Sequence, residues 1–160
     1  MAKQVKTNAM RMLDRAKIPY EVLNYSFTED DLSGVHAAEE LGENPKQVFK
    51  TLVTKGAKGG NFVFCIPVDE ELDLKKAAKS AGVKSIEMIH VKDLQSLTGY
   101  IRGGCSPVGM KKQFPTYFDV SANDFDEIFI SAGMRGQQLR VNVESLVNFV
   151  RAELAEITAQ

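Results

Sequence analysis

Phe49-Lys50-Thr51-Leu52-Val53-Thr54-Lys55, then Gly56-Ala57-Lys58-Gly59-Gly60, then Asn61-Phe62-Val63-Phe64-Cys65-Ile66-Pro67-Val68 read as strand, turn and strand. The first run alternates and is rich in β-branched and aromatic residues. The last is continuously apolar, the pattern of a strand buried on both faces. A glycine-rich turn of this length predicts a hairpin, and a hairpin requires antiparallel pairing. A second turn near Gly136 has the same character. Together they predict an α+β fold: a mixed, mostly antiparallel, curved sheet flanked by helices.

Working outward toward the N-terminus, Val5, Ala9, Met12, Leu13 and Ala16 have helical spacing, with the helix ending before Pro19. Residues 20–25 read as a strand. A helix from Ser33 to Gly42 points Val35, Ala38 and Leu41 inward, and Asn44-Pro45 predicts a short helical turn. Toward the C-terminus, Asp73 caps a helix that stops at Gly82. Residues 83–89 read as a strand and 91–97 as a short helix. A glycine-rich loop follows, then strands at 116–120, 127–131 and 139–143. Asn142 caps a last helix with Leu146, Phe149, Val150 and Leu154 on one face.

The 160 residues predict a single domain over 1–160, long enough to fold without disulfide or metal staples. Twenty Lys and Arg against 21 Asp and Glu give a net charge of −1, which excludes a polycation that adheres to nucleic acid or anionic membrane unspecifically. Two cysteines and two histidines are too few and too scattered for a zinc site, so no metal is expected. No run approaches the ~20 apolar residues of a membrane span. The first residues lack the apolar core of a signal peptide, so the expected location is cytoplasmic, with free thiols. Charge is segregated locally. Residues 26–43 hold six acids and no Lys or Arg, whereas 44–60 (Lys46, Lys50, Lys55, Lys58) and 102–112 (Arg102, Lys111, Lys112) hold no acid. Two such basic segments meeting on one side would suit a polyanion.

Three segments can carry chemistry. On a strand Lys50 shares a face with Leu52; it is either an ordinary half-exposed lysine or an electrostatic clamp on a carbonyl or phosphate. Thr98-Gly-Tyr-Ile-Arg-Gly103-Gly104-Cys105-Ser106-Pro107-Val108-Gly109 is either a tight irregular turn or a cradle of backbone N–H groups. It lacks the Lys-Ser/Thr ending of a P-loop. Ile128-Phe-Ile-Ser131-Ala-Gly133-Met-Arg-Gly136 is either a plain hairpin or one wall of a pocket. Cys105 would need a base within reach to act as a nucleophile, and only His36 and His90 could serve. Cys65, in an apolar run, reads as core. No Ser-His-Asp, paired-carboxylate or metal arrangement emerges.

These segments, in this order, resemble the YbaK/EbsC family of aminoacyl-tRNA deacylases, related to the editing domain of bacterial prolyl-tRNA synthetases. The matching residues are Val48-Phe-Lys50-Thr-Leu, Leu74-Lys-Lys-Ala-Ala-Lys, Thr98-Gly-Tyr with Gly103-Gly-Cys-Ser-Pro-Val-Gly109 and Lys111-Lys112, and Ser131-Ala-Gly-Met-Arg-Gly136. The likeness runs over nearly the whole chain. It implies a barrel-like mixed sheet and release of a wrongly attached amino acid, typically cysteine from Cys-tRNA(Pro). Mischarged Ala- or Ser-tRNA(Pro) are the alternative substrates, and a non-catalytic tRNA- or synthetase-binding module the alternative role. The resemblance assigns Lys50 as the catalytic residue. It assigns Tyr25, Gly103, Gly104, Ser106, Pro107, Gly109, Ser131 and Gly133 to substrate binding. It implies no cofactor, with the 3′ end of aminoacyl-tRNA and, transiently, prolyl-tRNA synthetase as partners. Two positions depart from the family pattern: Gln138, where some members are acidic, and Ser33, where some have Phe.

Overall fold

The computed structural model describes residues 6–159, so Val5 of the first helical face lies outside the described residues. In chain order the elements are α1 (Asn8–Arg15), β1 (Tyr20–Asn24), α2 (Gly34–Leu41), β2 (Phe49–Gly56), β3 (Asn61–Pro67), α3 (Leu74–Ala81) and β4 (Ile86–Met88). There follow α4 (Val91–Thr98), β5 (Thr116–Asp119), β6 (Glu127–Ser131), β7 (Gln137–Asn142), α5 (Val143–Phe149) and β8 (Glu153–Ala155). Side-chain caps set the helix starts. Ser33 accepts from the His36 N–H, Asp73 from those of Lys75 and Lys76, and Asn142 from that of Ser145. Gly42 and Gly82 end α2 and α3 with φ of 67° and 70°, a conformation glycine adopts without steric cost.

The strands form two sheets, with orders β1-β7-β6 and β4-β2-β3-β5-β8. The β2–β3 hairpin pairs antiparallel from Phe49↔Pro67 to Lys55↔Asn61, and β6–β7 pairs antiparallel from Glu127↔Asn142 to Ser131↔Gln138. β3–β5 and β5–β8 are parallel. The sheets do not close into a barrel, which corrects the barrel-like expectation. They touch at one parallel bridge, Val48↔Phe129, where the Phe129 N–H donates to the Gln47 carbonyl at 3.0 Å.

The five-stranded sheet is covered on both faces, which is why β3 is apolar throughout. On one side Phe49, Val53, Val63 and Cys65 pack with Leu13 of α1, Phe118, Ile130 and Leu146 of α5. On the other, Phe64 and Ile66 pack with Ala77 and Ala78 of α3, Tyr117 and Ile157; the Phe64 and Tyr117 rings stack at 5.3 Å. Three local expectations are corrected. Leu154 is not on the last helix: α5 ends at Phe149, Arg151 takes φ 56°, and Leu154 pairs with Phe118 in β8. The strand expected over 83–89 contracts to β4, and Val35, expected to face inward on α2, is 38% exposed; the short turn expected at Asn44-Pro45 is present. Among the described residues no helix is long and apolar enough to cross a membrane.

Candidate active site

Along one edge of β2, β6 joins at Val48 and β4 joins at Thr54, while β3 occupies the other edge. Among the described residues, the strand edge between those two joins has no strand partner. A cavity of about 380 Å³ lies there, and it is lined by residues 49–53 from both faces of the strand. The start of α2, Arg102, Gly103 and Cys105, the end of β6 and Gln138 of β7 form further walls with Tyr25, Leu32 and Val68, and Met88, Ile89, Val91 and Leu94 lie on the β4–α4 side.

Lys50 is half-buried on this wall, and its Nζ donates to the Val68 carbonyl at 3.4 Å. Among the described residues no carboxylate lies within ion-pair distance of it. Burial pulls its pKa below the ordinary lysine value, and the more distant Glu71, Asp69 and Glu70 act against that pull. The start of α2 approaches closely because residue 34 is glycine: a Cβ there would sit 2.9 Å from Val68 Cβ and 3.9 Å from Lys50 Cβ.

Two loops form the far wall and are fastened to each other. The Arg135 Nε–H donates to the Arg102 carbonyl at 2.8 Å. Gly104 lies so near the Met134–Arg135 backbone that a Cβ would come to 3.1 Å. Tyr100 donates from its hydroxyl to the Val108 carbonyl at 2.6 Å, and Asn8 of α1 donates to the Gly109 carbonyl at 3.0 Å. Ser106 is fully buried, its Oγ accepting from the Val108 N–H. Ser131 accepts from the Gly133 N–H, which leaves its own hydroxyl proton available.

Of the residues singled out in the sequence, Lys50, Tyr25, Gly103 and Ser131 line the cavity together. Gly104, Ser106, Pro107, Gly109 and Gly133 do not line it; the glycines serve close chain packing and Ser106 ties its own loop. The sequence reading missed Leu32, Met88, Ile89, Val91 and Leu94 as lining residues, because an apolar residue facing a cavity has the same pattern as one facing the core. The two departures, Ser33 and Gln138, both line the cavity. So does Cys105, whose thiol burial pushes up to about 12. Neither histidine lines the cavity, and His36 is bound to the Ser26 carbonyl at 3.0 Å, so neither is placed to serve Cys105 there.

The basic segments meet in part, since Lys50 and Arg102 share the cavity. Two further lysines of the expected basic face are neutralised from elsewhere in the chain: Lys46 pairs with Asp69 at 2.9 Å and Glu70 at 2.5 Å, and Lys55 with Glu87 at 3.3 Å. Among the described residues no group of three His, Cys, Asp or Glu side chains is arranged to hold a metal ion.

The family model of the aminoacyl-tRNA editing domain matches residues 32–149. A protein of Enterococcus faecalis named for Cys-tRNA(Pro)/Cys-tRNA(Cys) deacylation, EbsC, is 50% identical over 157 residues, covering 98% of this chain and 96% of that protein. YwhH of Bacillus subtilis, an uncharacterized protein, is 26% identical over 113 residues, 71% of each chain. Two crystal structures share the fold. One, described as a trans-editing enzyme for prolyl-tRNA synthetase, has a TM-score of 0.82 at 23% identity, covering 98% of this chain and 100% of that one. The other, the hypothetical protein APE2540, has a TM-score of 0.86 at 20% identity, with coverages of 95% and 99%.

Proposed function

This chain belongs to the aminoacyl-tRNA editing domain family, and from that premise we propose that it removes cysteine from mischarged Cys-tRNA(Pro), acting in trans on the aminoacylated 3′ end. It is an aminoacyl-tRNA deacylase. The observation that carries the reading is the Lys50 ammonium, half-buried at the cavity wall without a carboxylate partner among the described residues. A cation held this way is free to engage a substrate carbonyl or phosphate in a setting of reduced dielectric, where it acts more strongly than in water.

The physical need for such an enzyme follows from size. Proline and cysteine are close in volume, and an apolar pocket discriminates by only ~1–3 kcal/mol per methylene-sized difference. A second sieve must therefore recognise chemistry. Cysteine brings a thiol with an ordinary pKa of about 8.5, and its sulfur lies near its own ester carbonyl. In the proposed step the substrate sulfur forms a bond to that carbonyl carbon and the bond to the ribose oxygen breaks. The thiol proton passes to the departing ribose oxygen, and water then opens the resulting thiolactone to free cysteine. Lys50 grips the ester carbonyl or the terminal phosphate. Gly103 and Cys105 line the wall, and in this reading their backbone N–H groups serve the developing oxyanion; the Gly104 N–H is already bonded to the Ile101 carbonyl at 3.0 Å. Alanine and serine esters lack the attacking group.

With a net charge of −1 and several lysines already paired, the chain has little to hold the tRNA body, so prolyl-tRNA synthetase supplies that recognition in a transient complex. The test is deacylation of Cys-, Ala-, Ser- and Pro-tRNA(Pro), with and without prolyl-tRNA synthetase, by the protein with Lys50 intact and removed. Cysteine is expected to leave fastest and only with Lys50 present. Equal release of alanine or serine would overturn the thiol route, and binding without any ester cleavage would leave a non-catalytic module.

A further inference from the structure

The cavity wall is uneven in what it shows to solvent. Leu52, Ile89 and Leu94 are half-buried, and Ile89 and Leu94 pack against the core. Met88 and Val91 are 44% and 63% exposed, and among the described residues they are the only large apolar side chains lining the cavity that are exposed. Met88 ends β4 and Val91 begins α4, so both stand on one lip. Among the described residues they, unlike Ile89 and Leu94, join none of the packed apolar groups of the fold. On the loop side the exposed lining residue is instead a cation, Arg102. An apolar step at the mouth of a ligand cleft is unfavourable in water and is stabilised when another apolar surface covers it.

The connectivity of the substrate says what reaches that lip. With the acyl group beside Lys50, the ribose to which it is esterified stands at the mouth. The adenine, one glycosidic bond from that ribose, and the phosphodiester that leads to the rest of the tRNA leave in different directions. A cation suits the phosphodiester, and an apolar platform suits the face of a base. From this arrangement we infer that Met88 and Val91 form a nucleobase subsite that receives the adenine of the 3′-terminal nucleotide. The inference rests on the deacylase reading above and adds to that site the part of the ligand that does not react. A platform of this kind touches the π-face of the base and not its hydrogen-bonding edge, so it holds the end of any tRNA alike and adds nothing to the choice of amino acid.

The experiment uses cysteinyl esters of two RNA hairpins that copy the acceptor stem of tRNA(Pro), alike except that one ends in adenosine and the other in an abasic ribose. Each is cleaved by the wild type and by the double variant Met88→Ser/Val91→Ser. Removing the base, or the two side chains, is expected to lower kcat/KM by about 10-fold, chiefly through KM, and removing both should lower it no further than either alone. Val120→Ser, at an exposed apolar residue outside the cavity, should change neither rate. Cleavage of the abasic ester as fast as the adenosine ester by the wild type would overturn the inference. So would an equal loss on both esters in the double variant, which would make the lip part of the acyl pocket. If the wild type cleaves neither ester, it is the deacylase reading that fails. Binding of the uncharged hairpin with 2-aminopurine as its terminal base still decides the inference in that case: its fluorescence should change with the wild type and not with the double variant, and the same response to both proteins would overturn it.

Discussion

The Tyr100 hydroxyl donates to the Val108 carbonyl at 2.6 Å, and the same hydroxyl would lie 2.6 Å from a Cβ placed on Gly109. The ring also faces Gly133, where an added Cβ would meet Tyr100 Cε1 at 3.0 Å. One buried tyrosine thus braces both loops that make the far wall of the cavity. Tyr100→Phe leaves the Val108 carbonyl unsatisfied and is expected to cost about 1–3 kcal/mol. Urea unfolding should show a lower midpoint at an unchanged slope.

Lys50→Ala is expected to lower kcat by about 10²–10³-fold, the loss typical of removing one donor to a developing oxyanion. Cys105→Ala should keep most of the activity, because burial keeps that thiol protonated and the proposed step uses the substrate's own thiol. Single-turnover deacylation of Cys-tRNA(Pro) measures both; a Cys105→Ala protein as inactive as Lys50→Ala would refute the assignment.

Burial lowers the pKa of Lys50 from 10.5, so the cationic form that its proposed role requires is lost at a lower pH than for a free lysine. The alkaline limb of kcat/KM, after subtraction of spontaneous ester hydrolysis, should therefore fall below 10.5. The stability effect has the opposite sense. Between the folded pKa and 10.5 the unfolded chain holds more protons, so this group's contribution to stability rises with pH. Its destabilising effect is complete below the folded pKa. Urea titrations of wild type and Lys50→Met across that window should converge as pH rises.

Both thiols are pushed up to about 12 by burial. At pH 8 the thiolate fraction is then about one in ten thousand. Iodoacetamide should modify Cys65 and Cys105 only after unfolding, as read by intact mass in native buffer and in denaturant.

Gly34→Ala forces a methyl group against Val68, whose carbonyl receives the Lys50 ammonium. The first turn of α2 must move outward and the cavity changes shape beside the lysine. Deacylation is expected to fall by about 10-fold or more, as small displacements at a reacting centre do, while circular dichroism still reports a folded chain.

The fold was legible where local chemistry acts alone. Residues 56–60 announce the β2–β3 hairpin, and Ser33, Asp73 and Asn142 mark helix starts that the structure places one residue later. Leu154 misled because Leu146, Phe149, Val150 and Leu154 keep helical spacing, while Arg151 turns the chain at φ 56° with neither glycine nor proline to signal it. β8 gains its strand geometry only from pairing with β5, a partner that local pattern does not reveal. At the site, the residues around Lys50 left it either an ordinary strand lysine or an electrostatic clamp, and only the family resemblance singled it out. The apolar wall from Met88 to Leu94 was not, since facing a void and facing a core call for the same residues. The loop glycines were visible as glycines, but whether each meets substrate or another stretch of backbone depends on the fold.

The pairing of β1 with β7 sets Tyr20 opposite Val141, and Asn24 opposite Gln137. Most of the chain must be gathered before that ladder can form, and the entropy of closing so large a loop is not repaid until it does. The β2–β3 hairpin closes over a few residues and carries no such penalty. Substitutions in β2 and β3 should therefore slow refolding, whereas substitutions in β1 should mainly hasten unfolding. The strand that leads to Tyr25, on the cavity wall, is in this way the one expected to attach late and to detach early.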